Sequence, residues 1–203
     1  MKPRTLMLLG MKGGTGKSTV AIHLAVAAMQ AGHRVTLLDT DPQATTMTWA
    51  RTRIAPAPHV LVAPAYEAGR SLPANDCDLL VIDTAPRAEA DTTALAAQAS
   101  LIVIPLRCTM PDLAAADAAF RMAKAARRPA VVVLNAINPR GLEVDEVREE
   151  LTAQGHTLAP TPIAQRTAYA RALSNGLAVT EFERRGLAAQ EITQLWKWIE
   201  QRL

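Results

Sequence analysis

"MKGGTGKSTV", Met11 to Val20, decides how this chain is read. The apolar run "TLMLLG" (5–10) leads into it, and a helical pattern from Lys17 to Gln30 leads out. A glycine-rich turn between a buried strand and a helix suits phosphate. Gly13, Gly14 and Gly16 let backbone N–H groups turn inward, and the helix that follows offers its positive end. Thr15, Lys17, Ser18 and Thr19 complete the loop. Lys17 is placed to reach the β- and γ-phosphates of a nucleotide, and Ser18 to ligate Mg²⁺. The general pattern, G-x-x-x-x-G-K-S/T, asks for glycine at position 11, where this chain has Met11. The stretch also carries a second lysine, Lys12, which one bound nucleotide does not require.

Outward from the loop, short apolar runs alternate with helical patterns. "RVTLLD" (34–39), "DLLVID" (78–83), "SLIVIP" (100–105) and "AVVVLN" (130–135) are apolar on both faces, as parallel strands covered by helices are. Spacing predicts helices from about Ala44 to Arg53, Asp91 to Ala99, Pro111 to Ala126 and Val144 to Gln154. This alternation predicts an α/β fold of the P-loop NTPase kind: a doubly wound, mostly parallel sheet with helices on both faces. The Pro- and Ala-rich stretch Ile54 to Pro64 reads as a surface connection. Of 203 residues 49% are hydrophobic, so the expectation is one domain over 1–203, with no domain before the first strand. Aromatic content is only 3%, which leaves Ala, Val, Leu and Ile to build the core.

Two further stretches carry acids to strand ends. "LLDTDPQ" closes a strand with Asp39 and Asp41 and stops it at Pro42; "DLLVIDTAP" closes another with Asp83. Ligands of parallel sheets bind outside the carboxyl ends of the strands. A lone acid there is more often a turn or cap residue. Three acids, on two strands expected to flank the phosphate loop, favour a site.

"KGGTGKST" resembles the deviant phosphate loop of the ParA/MinD family of ATPases, in which the extra lysine is the family mark. The resemblance implies that two monomers close face to face around two ATP molecules, each Lys12 reaching the phosphates held by its partner. A cation delivered this way stabilises charge on the transferring phosphoryl group, as an arginine finger does. The alternative is that Lys12 is a solvated loop charge. In the family, a motif similar to "DTDPQ" is the first switch, so Asp41 would orient the attacking water and Asp39 would help hold the metal shell. Asp83 would hold Mg²⁺ through water, and Thr84 to Pro86 would be the second switch. "DTDPQATTMTWA", "TPIAQRTAYARAL" and "GLAVTEF" extend the likeness over nearly the whole chain, to the small single-domain plasmid-partition branch. Asn135 either contacts adenine or caps a strand end, and the "APTPIAQR" loop (159–166), with Pro162, lines the same pocket.

The function implied is ATP-dependent DNA partition in plasmid or chromosome segregation. ATP drives homodimerisation and non-specific DNA binding, and a centromere- or cargo-binding partner stimulates Mg²⁺-dependent ATP hydrolysis. Three alternatives stand beside it: positioning of a non-DNA cargo, a metabolic P-loop kinase or ligase, and a filament that assembles with ATP. A metabolic enzyme needs an acceptor pocket, of which the sequence gives no sign, and it needs no lysine acting in trans.

Charge points the same way. Residues 1–120 hold ten basic and ten acidic side chains, and residues 121–203 hold twelve and nine, so the whole excess of +3 lies in the C-terminal part. Arg121, Lys124 and Arg127 or Arg128 share a helix face, which is either a DNA contact or an ordinary solvated face. Arg140, Arg166, Arg171, Arg184 and Arg185 are further candidates. Cys77 and Cys108 lie far apart, as in a reducing cytosol, without disulfide or metal spacing. The last helix, "AAQEITQLWKWIEQRL", has an apolar stripe of Ile192, Leu195, Trp196, Ile199 and Leu203. Its mixed charge argues for packing on the sheet over attachment to a membrane. The expected location is the cytoplasm, on the nucleoid.

Overall fold

The computed structural model describes residues 3–55, 57–70, 76–86, 90–138, 141 and 143–203; Arg140 lies outside the described residues. The chain runs β1 Arg4–Leu8, α1 Lys17–Gln30, β2 Val35–Asp39, α2 Thr45–Thr52, β3 His59–Val62, α3 Ala65–Arg70, β4 Leu79–Asp83 and α4 Ala90–Ala96. It continues through β5 Leu101–Leu106, α5 Met110–Ala125, β6 Ala130–Ile137, α6 Glu143–Ala153, β7 Thr157–Leu158 and β8 Ile163–Ala164. Three helices finish it: α7 Thr167–Ser174, α8 Val179–Phe182 and α9 Leu187–Glu200.

The strands pair in parallel in the order β3-β2-β4-β1-β5-β6-β7, and β8 pairs with β6 beyond an irregularity at Asn135–Ile137. Alternate residues feed two cores, as the period of a strand demands. Leu6, Leu8, Leu37, Val81 and Val103 pack under α1, α2 and α7 to α9. Met7, Leu9, Leu38, Ile82 and Ile104 pack under α3, α4 and α5, and α6 joins that same layer through Val147 and Leu151. This is the doubly wound P-loop NTPase fold that the alternation predicts.

Two expectations need correction. The stretch Ile54–Pro64 contains β3, an edge strand with outward-facing His59 and Val62. Flanking prolines hide it in the sequence, yet proline is tolerated beside an edge strand. Only β4 of the two acid-bearing strands flanks β1; β2 lies one strand further out. Asp39 and Asp83 still meet, because the β2–β4 register pairs them directly.

The apolar stripe of α9 is consumed by packing. Ile192, Leu195 and Ile199 are fully buried and Trp196 nearly so, in the core that α1 shares. Arg202 stacks on the remaining tryptophan, Trp198, at 3.7 Å from the ring centre. Among the described residues no helix is long and apolar enough to cross a membrane.

His23 ties α1 to α8. Its Nδ1 accepts the Val179 N–H at 3.2 Å, so the ring is neutral, and Nε2 is buried with no partner among the described residues. Burial pulls its pKa down from 6.5 to about 3, against an opposing charge on Glu181. The unfolded chain takes up this proton near pH 6.5 and the folded chain does not until about pH 3. Protonation therefore favours unfolding throughout that window. At 1.4 kcal/mol per unit, stability falls by about 2 kcal/mol between pH 6.5 and 5 from this group. Urea unfolding at pH 7 and pH 5 measures it, and His23→Gln flattens the difference. An equally acid-sensitive variant places the effect elsewhere.

Candidate active site

The loop leaves the end of β1 at the middle of the sheet and enters α1 through Gly16. Gly14 and Gly16 adopt φ of 77° and 93°, which residues with a Cβ rarely do. A Cβ at Gly16 would also overlap the side-chain amide of Asn135. No acidic side chain occupies the first turn of α1 and, among the described residues, no side chain caps it, so its amides and positive end are open to an anion. Gly13 and Gly14 are exposed, Ser18 and Thr19 partly so, and Thr15 is buried.

The two lysines diverge. Lys17 is 6% exposed, and its Nζ donates to the Lys12 carbonyl at 3.4 Å. Burial lowers its pKa, while the charges of Asp83 and Asp41 oppose that shift. The Lys12 side chain turns away toward α5, its Nζ 2.7 Å from Asp112 Oδ1.

Asp83 is fully buried, and neither carboxylate oxygen has a hydrogen-bond partner of ordinary geometry among the described residues. Burial pushes it up to about 7. The Ser18 hydroxyl and Lys17 pull it back and Asp39 adds to the rise, Ser18 without closing a hydrogen bond of ordinary geometry. A buried, unsatisfied carboxylate facing a serine hydroxyl and a phosphate loop fits a bound cation. The described residues hold no group of three or more metal-binding side chains.

Asp39, which the resemblance places in the metal shell, accepts protein donors on both carboxylate oxygens. Its Oδ1 accepts the Asp41 N–H at 3.0 Å, and its Oδ2 accepts the Thr46 N–H at 3.0 Å and hydroxyl at 2.7 Å. With both oxygens engaged, it staples Asp41 to the start of α2. Asp41 is half-buried, and its Oδ1 accepts the Gln43 N–H at 3.0 Å. It borders a cleft between Thr40–Gln43 and Ala85–Pro86, closed on a third side by Tyr66. Thr40 donates to the Asp83 carbonyl, and Thr84 to the carbonyl of Leu8 on β1, so both segments hang from the central strands.

Asn135 is 5% exposed and donates from Nδ2 to the Thr15 carbonyl at 2.6 Å. It braces the phosphate loop, rather than capping a strand end. Pro162 lines a separate cleft with Ile137, Val144, Arg148 and Arg166.

The basic residues do not form one surface. Arg121 and Lys124 are exposed on α5, on one face of the sheet. Arg171, Arg184 and Arg185 are exposed on the other, with the Arg171 guanidinium over the Phe182 ring. Arg166 is paired with Glu191 at 2.7 Å. The helix carrying Arg121 ends at Ala125, and Arg127 follows in the left-handed region, so it leaves the stripe.

Sequence reasoning missed Asp112, Thr46 and Thr40. "TMPD" (109–112) reads as a helix start, but nothing local couples it to Lys12.

The family model for the CobQ/CobB/MinD/ParA nucleotide binding domain matches residues 6–179. Over 207 residues the chain is 29% identical to the maintenance of carboxysome distribution protein A of Halothiobacillus neapolitanus, covering 96% of this chain and 95% of that one. The septum site-determining protein MinD of Pyrococcus horikoshii, complexed with Mg-ADP, superimposes with a TM-score of 0.79 at 15% identity, over 98% of this chain and 96% of that one. A plasmid partition protein of Borrelia burgdorferi does so with a TM-score of 0.74 at 15% identity, over 100% of both chains. At such identities these two structures speak for the fold.

Proposed function

The chain belongs to the CobQ/CobB/MinD/ParA nucleotide-binding family, and from that premise we propose that it is an Mg²⁺-dependent ATP hydrolase that partitions DNA. ATP closes two copies face to face, the closed pair holds DNA without regard to sequence, and a cargo-bound partner accelerates hydrolysis. The observation that carries this reading is the divergence of the two lysines. Lys17 points inward to the acids and suffices for the bound nucleotide; Lys12, 43% exposed, points out of the loop, where a second copy can meet it.

Lys17 and the loop amides bind and orient the triphosphate. Mg²⁺ held at Ser18, with Asp83 behind it, would neutralise charge on the β- and γ-phosphates. Asp41, at the mouth of the cleft, positions water, and phosphoryl transfer asks for little more than such positioning.

ATP-dependent DNA binding needs a link from the site to a basic surface, and one face of the sheet has it. Asp39 holds Thr46 at the start of α2. At its far end Arg53, almost fully buried, forms a two-pronged pair with Glu181 of α8 at 2.7 and 2.8 Å. Arg184 and Arg185 follow directly, with Arg171 beside them. This favours Arg171, Arg184 and Arg185 over Arg121 and Lys124 as the DNA contacts. The carboxysome-distribution relative favours a second reading, in which the same cycle positions a cargo other than DNA.

Fluorescence anisotropy of ATP-loaded protein on duplex DNA, across a range of salt, tests the DNA step. Reversing Arg171, Arg184 and Arg185 to Glu lowers the slope of log affinity against log salt by about 2 to 3. Reversing Arg121 and Lys124 leaves the slope within about 0.5 of wild type. A wild type that does not bind DNA with ATP contradicts the partition reading. Loss only in the second variant moves the contact to α5.

A further inference from the structure

Asp112 stands in the first turn of α5 and is 5% exposed. Its Oδ2 accepts the Thr109 hydroxyl at 2.6 Å, and its Oδ1 holds Lys12 Nζ at 2.7 Å. Burial opposes its charge, but hydrogen bonds from Lys12 and Thr109, and the nearby charges of Lys12 and Arg107, keep its carboxyl below the usual range. The positive end of α5 adds to that. Asp112 therefore has other support for its charge when Lys12 leaves. Lys12 has one ammonium, and it cannot sit on Asp112 of its own chain and on phosphates held by another.

We propose that Asp112 holds Lys12 back: the pair keeps the cation folded onto its own protomer, and closing the ATP dimer requires each copy to exchange Asp112 for the other's phosphates. This rests on the trans role given to Lys12 above. Asp112 touches no substrate; it is a positioning residue that acts through Lys12. The half-exposed lysine keeps the pair weak, about three- to fivefold in an equilibrium constant. A dimer must open two such pairs, so the factors multiply to about tenfold or more in its dissociation constant. The consequence is a threshold: dilute protein stays monomeric with ATP bound, and dimers close only where protein is concentrated.

Asp112→Asn is isosteric and keeps an acceptor for Thr109; Asp112→Ser keeps a capping group in the turn if the first variant folds poorly. Sedimentation with a slowly hydrolysed ATP analogue gives the dimer dissociation constant, and turnover is followed against protein concentration. The expected result is a dimer about tenfold tighter, faster turnover in dilute protein and an unchanged rate at saturation. The gain disappears when Lys12→Ala is added, as it must if Asp112 acts through Lys12. A merely structural role lowers the melting temperature without tightening the dimer. Dissociation constants equal to or weaker than those of a dimerising wild type, in both variants, overturn the proposal alone. A wild type that binds the analogue and stays monomeric at every concentration overturns the dimer reading and this one with it.

Discussion

Lys17→Ala binds ATP at least about 100-fold more weakly than wild type in isothermal titration with Mg²⁺. The ammonium supplies charge-assisted hydrogen bonds to the phosphates, each about 1.5–3 kcal/mol, and no neighbouring cation replaces it, since Lys12 is held on Asp112. The loss is one of binding and not of folding. Burial already disfavours the charge of Lys17, so the variant's melting temperature without nucleotide stays close to that of wild type. Near-normal affinity would remove the phosphate-loop assignment.

Lys12→Ala gives the opposite separation. Nucleotide affinity stays within a few-fold, because Lys17 and the loop amides remain. Dimerisation with ATP falls by about 100-fold or more, and hydrolysis and DNA binding fall with it. Two nucleotides facing each other bring several negative charges together, and the closed state depends on one cation from each side. The same cation meets charge spreading over the γ-phosphoryl oxygens at the transition state. The pair that the substitution removes has a half-exposed lysine and contributes only about 0.5–1 kcal/mol, and the buried Asp112 keeps the Thr109 hydroxyl and the positive end of α5, so folding is again spared.

How far the sequence reached depended on how local each feature is. The helix Lys17–Gln30 was legible to the residue, because Gly16 opens it and a run of Ala, Val, Leu and Ile sustains it. The strands carrying Asp39 and Asp83 were legible as unbroken apolar runs. β3 was not, since "HVLV" is short, half-exposed and set between Pro58 and Pro64. The acids were found at the right strand ends, but the hydrogen bonds that Asp39 makes there were not. Thr46 occupies an oxygen of Asp39 only once α2 has folded back over β2. Asn135 meets the Thr15 carbonyl, and Asp112 meets Lys12, across elements far apart in the chain. Local pattern carries no trace of such pairs, which are set by how the sheet brings β1, β5 and β6 side by side.

Sedimentation velocity of the wild type and of Lys12→Gln, each with a slowly hydrolysed ATP analogue and with ADP, tests the central claim most directly. The account predicts a particle of twice the 21.8 kDa chain mass for the wild type with the ATP analogue. It predicts monomers with ADP, and monomers with either nucleotide for Lys12→Gln. Wild type that stays monomeric with the analogue bound, or Lys12→Gln that dimerises as the wild type does, contradicts it.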